Sequence, residues 1–154
     1  MKSFLCLNKK PICRWTKIPQ GTFFEGNVPI GYDLGICPGE GYMVIDVDRH
    51  GDIDGFDSIP DELKQELDNT LHYPTRNNGM HYWFKNTSKK ILANKTSGLG
   101  IDLRIEDKGY VIWYKDGDIR ECMDQIKEST DDMNIWIENM FSRLSRIRKS
   151  KLRK

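Results

Sequence analysis

The sequence predicts an α+β fold in which a mostly antiparallel central sheet is flanked by helices. Short runs rich in β-branched and aromatic residues recur along the chain, and turns containing glycine or proline separate them. Two longer stretches instead repeat their apolar residues at helical spacing. The 154 residues suffice for one domain with a buried core.

The predicted strands are, in chain order, 3–7, 34–37, 42–48, 80–84, 99–105 and 110–114. The turn signal Pro38-Gly39-Glu40-Gly41 predicts that residues 34–48 form a β-hairpin. Apolar and polar side chains alternate in residues 99–105, which is typical of a strand with one buried face. The turn at residues 107–109 predicts a second hairpin, in which 110–114 returns beside that strand.

Two helices are predicted, Pro60–Leu71 and Thr130–Ile147, and both are expected to pack behind or beside the sheet. In the first helix a leucine recurs every fourth residue, so the leucines form one core-facing stripe. The second helix follows a Ser-Thr pair suited to an N-cap. Asp131 and Asp132 lie in its first turn, where negative charge complements the helix dipole.

The net charge of +1 conceals an uneven distribution along the chain. Residues 143–154 contain seven cations and no acid, which leaves residues 1–142 with a net charge of −6. We therefore expect a core domain at 1–142 and a basic C-terminal tail at 143–154 that contacts a polyanion, although a solvated end is the alternative interpretation. No apolar segment approaches the length of a membrane span, and the four cysteines form no CxxC pair. A cytoplasmic protein with reduced thiols is expected.

Polar residues interrupt three of the predicted strands. Asp46 and Asp48 occupy positions i and i+2 of one strand and should project from the same face. Two adjacent carboxylates repel each other unless a cation lies between them, and hard oxygen ligands suit Mg²⁺ or Mn²⁺. An Asp-rich loop at a strand end is the alternative. His81 opens an aromatic strand, and Asp102 interrupts an apolar one.

The context of these residues is more specific than any of them alone. The stretches that carry it are Lys10-Pro11, Leu34-Gly35-Ile36, the TRNNGMHYWF of residues 75–84, the SGLGIDLR of residues 97–104 and the KGYVI of residues 108–112. Together with Asp46-Val47-Asp48 they resemble the archaeo-eukaryotic primase superfamily, and within it the primase-polymerase domain of phage, plasmid and other mobile-element replication proteins. The resemblance covers about residues 9–114. It implies the catalytic core of that family, which is RRM-like.

The resemblance implies a nucleotidyltransferase that uses two divalent metal ions, Mg²⁺ or Mn²⁺, to add nucleotides from NTP or dNTP to a nucleic acid chain. Asp46, Asp48 and Asp102 would be the metal ligands, and with His81 they would form the catalytic set. The residues implied at the nucleotide phosphates are Thr75, Arg76, Asn77, Asn78, His81 and Arg104. Guanidinium groups suit this role because they match phosphate oxygens bidentately. For Arg104, a cross-strand ion pair is the alternative.

The same resemblance implies a nucleic acid template. The basic tail Arg143–Lys154 would bind single-stranded DNA through its phosphates, without reading sequence. Trp15, with Arg14 and Lys17 beside it, is a second candidate for template contact. Most aromatic residues of the strands are instead expected in the core. A separate helicase or replication protein is a candidate partner, in phage or plasmid replication.

Two other functions remain open from the sequence. Asn78 and Lys108 stand where the family often has glycine, and residues 113–115 read Trp-Tyr-Lys where it commonly continues Pro-Pro-Ser. The missing Pro-Pro-Ser and the small size of the core favour, as an alternative, a catalytically reduced module that binds nucleotide, DNA or a partner protein. A metal-dependent nuclease using the same acids is a further alternative. The context of His81 matches nucleotide binding better.

Overall fold

A computed structural model describes residues 1–153, apart from the side chains of residues 143–149. It has the predicted α+β class, with two largely antiparallel sheets, a two-stranded ribbon and two α-helices. The strands are β1 Lys2–Leu7, β2 Lys10–Pro11, β3 Asp33–Cys37, β4 Gly39–Val47, β5 Arg49–His50, β6 Ile53–Asp54, β7 His72–Pro74, β8 Met80–Lys85, β9 Lys95–Thr96, β10 Ile101–Glu106, β11 Val111–Ile112 and β12 Lys127–Glu128. The helices are α1 Lys64–Asn69 and α2 Asp131–Leu152.

The larger sheet has six strands, and three of them contain Asp46, His81 and Asp102. Its order is β12-β8-β4-β10-β9, and β7 pairs with β8 beside β12. Within this order, β4 lies between β8 and β10 and pairs antiparallel with both of them. Only the short β12–β8 pair is parallel in the described sheets. The acidic strand β4 is therefore held on both edges.

The smaller sheet, of order β11-β3-β1-β2, shows that the predicted hairpin at residues 34–48 is wrong. The two segments are strands, but β3 pairs with β1 in the smaller sheet while β4 enters the larger one. Both edges of β4 are occupied by β8 and β10, so β3 has no edge of β4 to join. Gly39, at a φ of +89° that favours glycine, follows Pro38 where the chain changes sheets.

The second predicted hairpin is also wrong. A turn does follow β10, because Lys108 donates its backbone N–H to the carbonyl of Ile105. However, β11 pairs with β3 rather than with β10. The register of β10 against β4 shifts between Ile105 and Glu106, and Glu106 adopts a left-handed φ of +47°. This irregularity redirects the chain to the other sheet. The chain thus changes sheets near residues 38 and 107, and a cleft opens between the two sheets.

The helices cover one face of the larger sheet. Leu67 of α1 and Met133 and Ile137 of α2 are buried against the odd-numbered residues of β4 and β10, such as Ile45 and Leu103. Truncating a buried leucine such as Leu67 to alanine costs about 2–5 kcal/mol. The even-numbered residues of these strands, including Asp46 and Asp102, occupy the opposite face and the cleft.

Both helices differ from their predicted bounds. The first is shorter, since a 3₁₀ turn at Asp61–Leu63 leads into α1 and the extended conformation of Thr70 ends it. The second begins as predicted: the Thr130 hydroxyl accepts a hydrogen bond from the Met133 backbone N–H. It continues to Leu152, so the backbone of the predicted basic tail is helical as far as that residue. In the described part of the chain, no helix combines the length and apolarity needed to cross a bilayer.

Candidate metal centre and adjoining cavity

Three candidate site residues lie in one row across the larger sheet. His81 of β8 pairs with Asp46 of β4, and Asp46 pairs on its other side with Asp102 of β10. Directly opposed residues of neighbouring strands point to the same face with their Cβ atoms about 5 Å apart. The apolar residues that alternate with the row point to the opposite, helix-covered face, where they are buried. Burial of that face therefore fixes His81, Asp46 and Asp102 on the cleft face.

Asp48 joins this row from just beyond the end of β4. Its backbone N–H donates to the Gly100 carbonyl at 2.7 Å, and its carbonyl accepts from the Gly55 N–H at 2.8 Å. A Cβ atom on Gly55 would lie 2.1 Å from the Gly100 oxygen, so only glycine permits this approach. Asp48 is therefore held by backbone contacts from two separate loops.

The carboxylates of Asp46, Asp48 and Asp102 converge, with one oxygen of each lying within 4.8 Å of the others. Asp46 Oδ1 is buried and has no hydrogen-bond partner among the described residues. A buried carboxylate oxygen without a donor is costly, and a divalent cation would satisfy it. Three carboxylates within this distance fit a hard ion such as Mg²⁺ or Mn²⁺, and these residues could hold one.

The trio is electrostatically unfavourable without a cation. Burial raises the pKa of the Asp48 carboxyl above its ordinary value, and the negative charges of Asp46 and Asp102 add to that effect. Burial likewise raises the pKa of Asp102; Arg104 opposes this shift and Asp46 reinforces it. Both shifts have the physical cause expected of a cation site, namely like charges brought together out of water.

His81 is almost fully buried and is held from behind. Its Nε2 lies 3.3 Å from Asp46 Oδ1, although the alignment of these two atoms does not make a hydrogen bond. Its Nδ1 lies 3.2 Å from the hydroxyl of Tyr73, on the neighbouring strand β7. That hydroxyl also accepts a hydrogen bond of 3.0 Å from Trp83 Nε1. The ring is thus fixed between a buried hydroxyl and a carboxylate.

A cavity of about 420 Å³ adjoins the acidic residues. Asp46, Asp48 and His81 line it from the larger sheet, and β11 lines it from the smaller sheet. Its charged and aromatic wall contains Lys9, Trp15, Arg76, Arg104, Lys108, Tyr110 and Tyr114. Four cations and three aromatic rings around a carboxylate cluster suit an anionic ligand that also has an apolar or planar part.

The loop before β8 forms one side of this cavity, with Thr75, Arg76 and Asn77 on its wall. The Thr75 hydroxyl accepts a hydrogen bond of 3.0 Å from the Gly79 N–H, which closes the loop. Asn78 does not line the cavity among the described residues and adopts a left-handed φ of +62°. Asparagine tolerates that conformation, which accounts for its presence where the resembled family often has glycine.

Two arginines of the predicted phosphate set are ion-paired in the structure. Arg76 Nη2 lies 2.8 Å from Asp33 Oδ1, which belongs to the smaller sheet. Arg104 Nη2 lies 3.6 Å from Asp102 Oδ2. Arg104 is thus in an ion pair, but its partner is a residue of its own strand rather than of a neighbouring one. Both arginines still line the cavity.

The structure brings most of the sequence-predicted residues to one place. Asp46, Asp48, Asp102 and His81 are together, and the Thr75–Asn77 loop and Arg104 border the same cavity. Trp15 also lines it, whereas Arg14 and Lys17 are not among the described lining residues. The predicted tail lies largely outside the described side chains. Sequence reasoning missed Tyr73, which contacts His81, and also Lys9 and Asn94, which line the cavity. No local pattern marks Tyr73 or Asn94.

An acidic trio beside a cavity with cationic walls fits the class of proteins that act on phosphorylated substrates with bound divalent ions. Residues 7–116 match the family described as bifunctional DNA primase/polymerase, N-terminal. The chain belongs to this primase-polymerase family, and membership implies a nucleotidyltransferase with nucleotide and nucleic acid substrates. None of the curated proteins matches the chain.

Proposed function

We propose that this chain is a DNA primase/polymerase-type nucleotidyltransferase. It would use two divalent ions to add nucleotides from NTP or dNTP to a nucleic acid chain, in phage or plasmid replication in the cytoplasm. The observation that carries the proposal is the convergence of Asp46, Asp48 and Asp102 beside a cavity of nucleotide size with cationic walls. The family match supports the same class of reaction.

The proposed metal ligands are Asp46, Asp48 and Asp102. Divalent ions held by these residues would supply charge stabilisation for an in-line displacement at phosphorus. The chain itself provides the positions of the three carboxylates: two are fixed by cross-strand pairing and one by its backbone contacts. Either Mg²⁺ or Mn²⁺ suits this all-oxygen ligand set.

The triphosphate is proposed to lie between the acidic trio and the Thr75–Asn77 loop. Its phosphate oxygens would be bound by the four cations of the cavity wall, which are Lys9, Arg76, Arg104 and Lys108. His81 would donate a hydrogen bond to a phosphate oxygen. Asn78 would support the loop rather than contact the phosphates, since it is not among the described lining residues and its backbone N–H donates to the Thr75 carbonyl at 3.2 Å.

The template is proposed to approach over the aromatic part of the wall. Trp15 and Tyr110 pack edge to face with ring centroids 5.3 Å apart, and both border the cavity. Aromatic rings of this kind can stack bases without reading sequence. The basic tail Arg143–Lys154 would add phosphate contacts, and a separate helicase or replication protein is a proposed partner.

A second candidate is a module that keeps the fold and nucleotide binding but has lost most of its catalysis. The ion pairs of Arg76 with Asp33 and of Arg104 with Asp102 favour it, because they occupy two guanidinium groups that would otherwise face phosphate. For such a module, nucleotide would bind without metal, and binding would survive the removal of Asp102.

Primer extension with purified protein, a primed DNA template, NTP or dNTP and Mn²⁺ tests the proposal. Wild-type protein should extend the primer, and Asp46→Asn or Asp102→Asn should lower the rate by at least about 100-fold, since even outer-shell changes at metal sites cost 10- to 100-fold. Asp52→Asn is the matched control, because Asp52 is an exposed acid in the loop that follows the site. An inactive wild type that still binds nucleotide in calorimetry would favour the binding module.

A further inference from the structure

Tyr73 is a buried residue whose hydroxyl touches the proposed nucleotide-binding histidine. It pairs with His81 across β7 and β8, and its ring packs edge-on against His81 at 5.3 Å and against Trp113 at 4.8 Å. Its side chain, like those of His81 and Trp83, is almost completely excluded from solvent. Burial raises the pKa of the Tyr73 hydroxyl above its ordinary value, so the group keeps its proton.

The hydrogen bonds at this hydroxyl determine which nitrogen of His81 carries a proton. Trp83 Nε1 can only donate, so the Tyr73 oxygen accepts from it at 3.0 Å. The hydroxyl proton then has one acceptor within reach among the described residues, His81 Nδ1 at 3.2 Å. Accepting this proton requires an unprotonated Nδ1, and a neutral imidazole then carries its proton on Nε2.

The opposite assignment leaves an unsatisfied group. If Nδ1 carried a proton and donated to Tyr73, the oxygen would accept two hydrogen bonds and its own proton would point at no acceptor among the described partners. A buried hydroxyl proton without an acceptor is unfavourable. The other ring nitrogen of His81, Nε2, lies 3.3 Å from Asp46 Oδ1, and His81 lines the cavity.

We propose that Tyr73 is a positioning residue that holds His81 in the Nε2–H tautomer, so that the ring offers a hydrogen-bond donor to an anionic ligand beside Asp46. The identity of that ligand as a nucleoside triphosphate rests on the proposed function. The tautomer itself rests only on the three buried side chains and their donors and acceptors. Tyr73 acts through His81 and makes no contact with the ligand in this arrangement.

Nitrogen-15 NMR of histidine-labelled protein tests the tautomer directly, since the two ring nitrogens give different signals in the Nε2–H, Nδ1–H and imidazolium forms. His81→Gln identifies the His81 signals. His72 supplies an internal reference for a protonated Nδ1, because its Nδ1 lies 2.8 Å from the Thr70 carbonyl and must donate to it. Wild-type His81 should show the Nε2–H form. An Nδ1–H or imidazolium pattern at the signals so assigned would overturn the proposal.

Tyr73→Phe removes the hydroxyl and keeps the ring, and Tyr82→Phe is the matched control on the same sheet. Tyr82 is buried on the helix-covered face, away from His81. Tyr73→Phe should mix the His81 tautomers and raise the KM for nucleotide about 3- to 10-fold, with a smaller change in kcat. Tyr82→Phe should change neither reading. A tautomer that shifts with no change in KM would overturn the functional role of Tyr73.

The two measurements separate this inference from the proposed function. If wild-type protein fails to extend primers, the proposed function fails, while the NMR result still decides the tautomer. If wild-type protein extends primers but Tyr73→Phe gives the same His81 signals as wild type, the inference fails and the proposed function stands. Thermal unfolding of both variants verifies that each is folded under the conditions of the spectra.

Discussion

Asp46 and Asp102 are direct cross-strand partners on β4 and β10, with their carboxylates on the same side of the sheet. Like charges in this arrangement destabilise a sheet. The backbone geometry that creates the proposed metal site is therefore a source of instability in the metal-free protein. Stability and function should respond in opposite directions when one of these acids is neutralised.

Asp102→Asn should stabilise the metal-free protein by about 0.5 kcal/mol, within the range measured for cross-strand pairs. The gain stays small because Arg104, 3.6 Å from Asp102, loses its ion-pair partner. The folded-state pKa of Asp102 is raised above 3.8, so the protonated carboxyl favours the folded state. The contribution of the protonated Asp102 carboxyl to stability is complete below pH 3.8, and it is lost as the pH rises through the raised pKa of the folded protein. The higher stability of Asp102→Asn relative to wild type should therefore appear only above pH 3.8.

Urea unfolding in EDTA at several pH values measures this difference, with Asp52→Asn as the control. In Mn²⁺ at 100 times its dissociation constant, wild-type protein should gain about 2.7 kcal/mol. Asp102→Asn should lose most of that gain. A variant that is less stable than wild type in EDTA, or that responds equally to Mn²⁺, would contradict a shared cation site.

Asp33→Asn should tighten nucleotide binding. The Arg76–Asp33 ion pair holds the guanidinium at 2.8 Å, and a phosphate must compete with Asp33 for it. Arg76 is 58 % exposed, and ion pairs of this kind are worth about 0.2–1 kcal/mol, so an increase of about 2- to 5-fold in affinity is expected. Calorimetric titration with a non-hydrolysable triphosphate measures it.

The exposed aspartate Asp116 provides the control for that titration, since Asp116→Asn removes the same charge without releasing Arg76. Arg76→Ala should weaken binding. Unchanged affinity in Asp33→Asn, together with unchanged affinity in Arg76→Ala, would show that Arg76 does not bind the phosphates.

Asp107→Asn should destabilise the junction between the two sheets. Lys2 is only 1 % exposed, and its ammonium donates to the Ile18 carbonyl at 2.8 Å and pairs with Asp107 Oδ1 at 3.0 Å. The hydrogen bond from Lys2 holds the pKa of Asp107 below its usual value of 3.8. This stabilisation is present above pH 3.8 and is lost as the pH falls through the lowered value.

The expected loss for Asp107→Asn at neutral pH is about 1 kcal/mol, because solvent screens the exposed carboxylate. Denaturant unfolding at neutral and acidic pH measures it, and the gap between variant and wild type should close in acid. Asp116→Asn again serves as the control. A gap that stays constant with pH would exclude the ion pair as its cause.

Replacing the cations of the basic tail with glutamine should weaken binding of single-stranded DNA and flatten its dependence on salt. The positions are Arg143, Arg146, Arg148, Lys149, Lys151, Arg153 and Lys154. Each DNA phosphate that the variant no longer neutralises should reduce the slope of log K against log salt by about 0.7. A variant with lysine at the four arginines keeps the charge and should behave as wild type. Unchanged affinity at low salt in the glutamine variant would contradict the prediction.

The sequence predicted the strands better than their partners. Residues 34–37 and 42–47 were correctly placed in strands, because alternation and β-branched content are local properties. Their pairing with each other was wrong, because a turn signal does not specify whether the chain returns to the same sheet or passes to another. The edges of β4 were already taken by β8 and β10, which are distant in sequence.

The candidate site shows the same division. Asp46, Asp48, His81 and Asp102 were found from an i, i+2 pair and from short stretches whose order resembles a known family. Tyr73 was missed because its role depends on pairing across β7 and β8 and on a donor supplied by Trp83. Nothing in the residues adjacent to Tyr73 indicates that its hydroxyl reaches a histidine eight positions later.

The sequence by itself determined the α+β class, the family resemblance and the residue types available for metal and phosphate. These depend on local periodicity and on chemistry that each side chain carries with it. Only the tertiary structure decided that the strands form two sheets, that the acids face the cleft rather than the helices, and that Arg76 and Arg104 are paired with acids. Those outcomes depend on which strand edges remain free and on which charges meet across the cleft, and both are fixed by contacts between residues far apart in the chain.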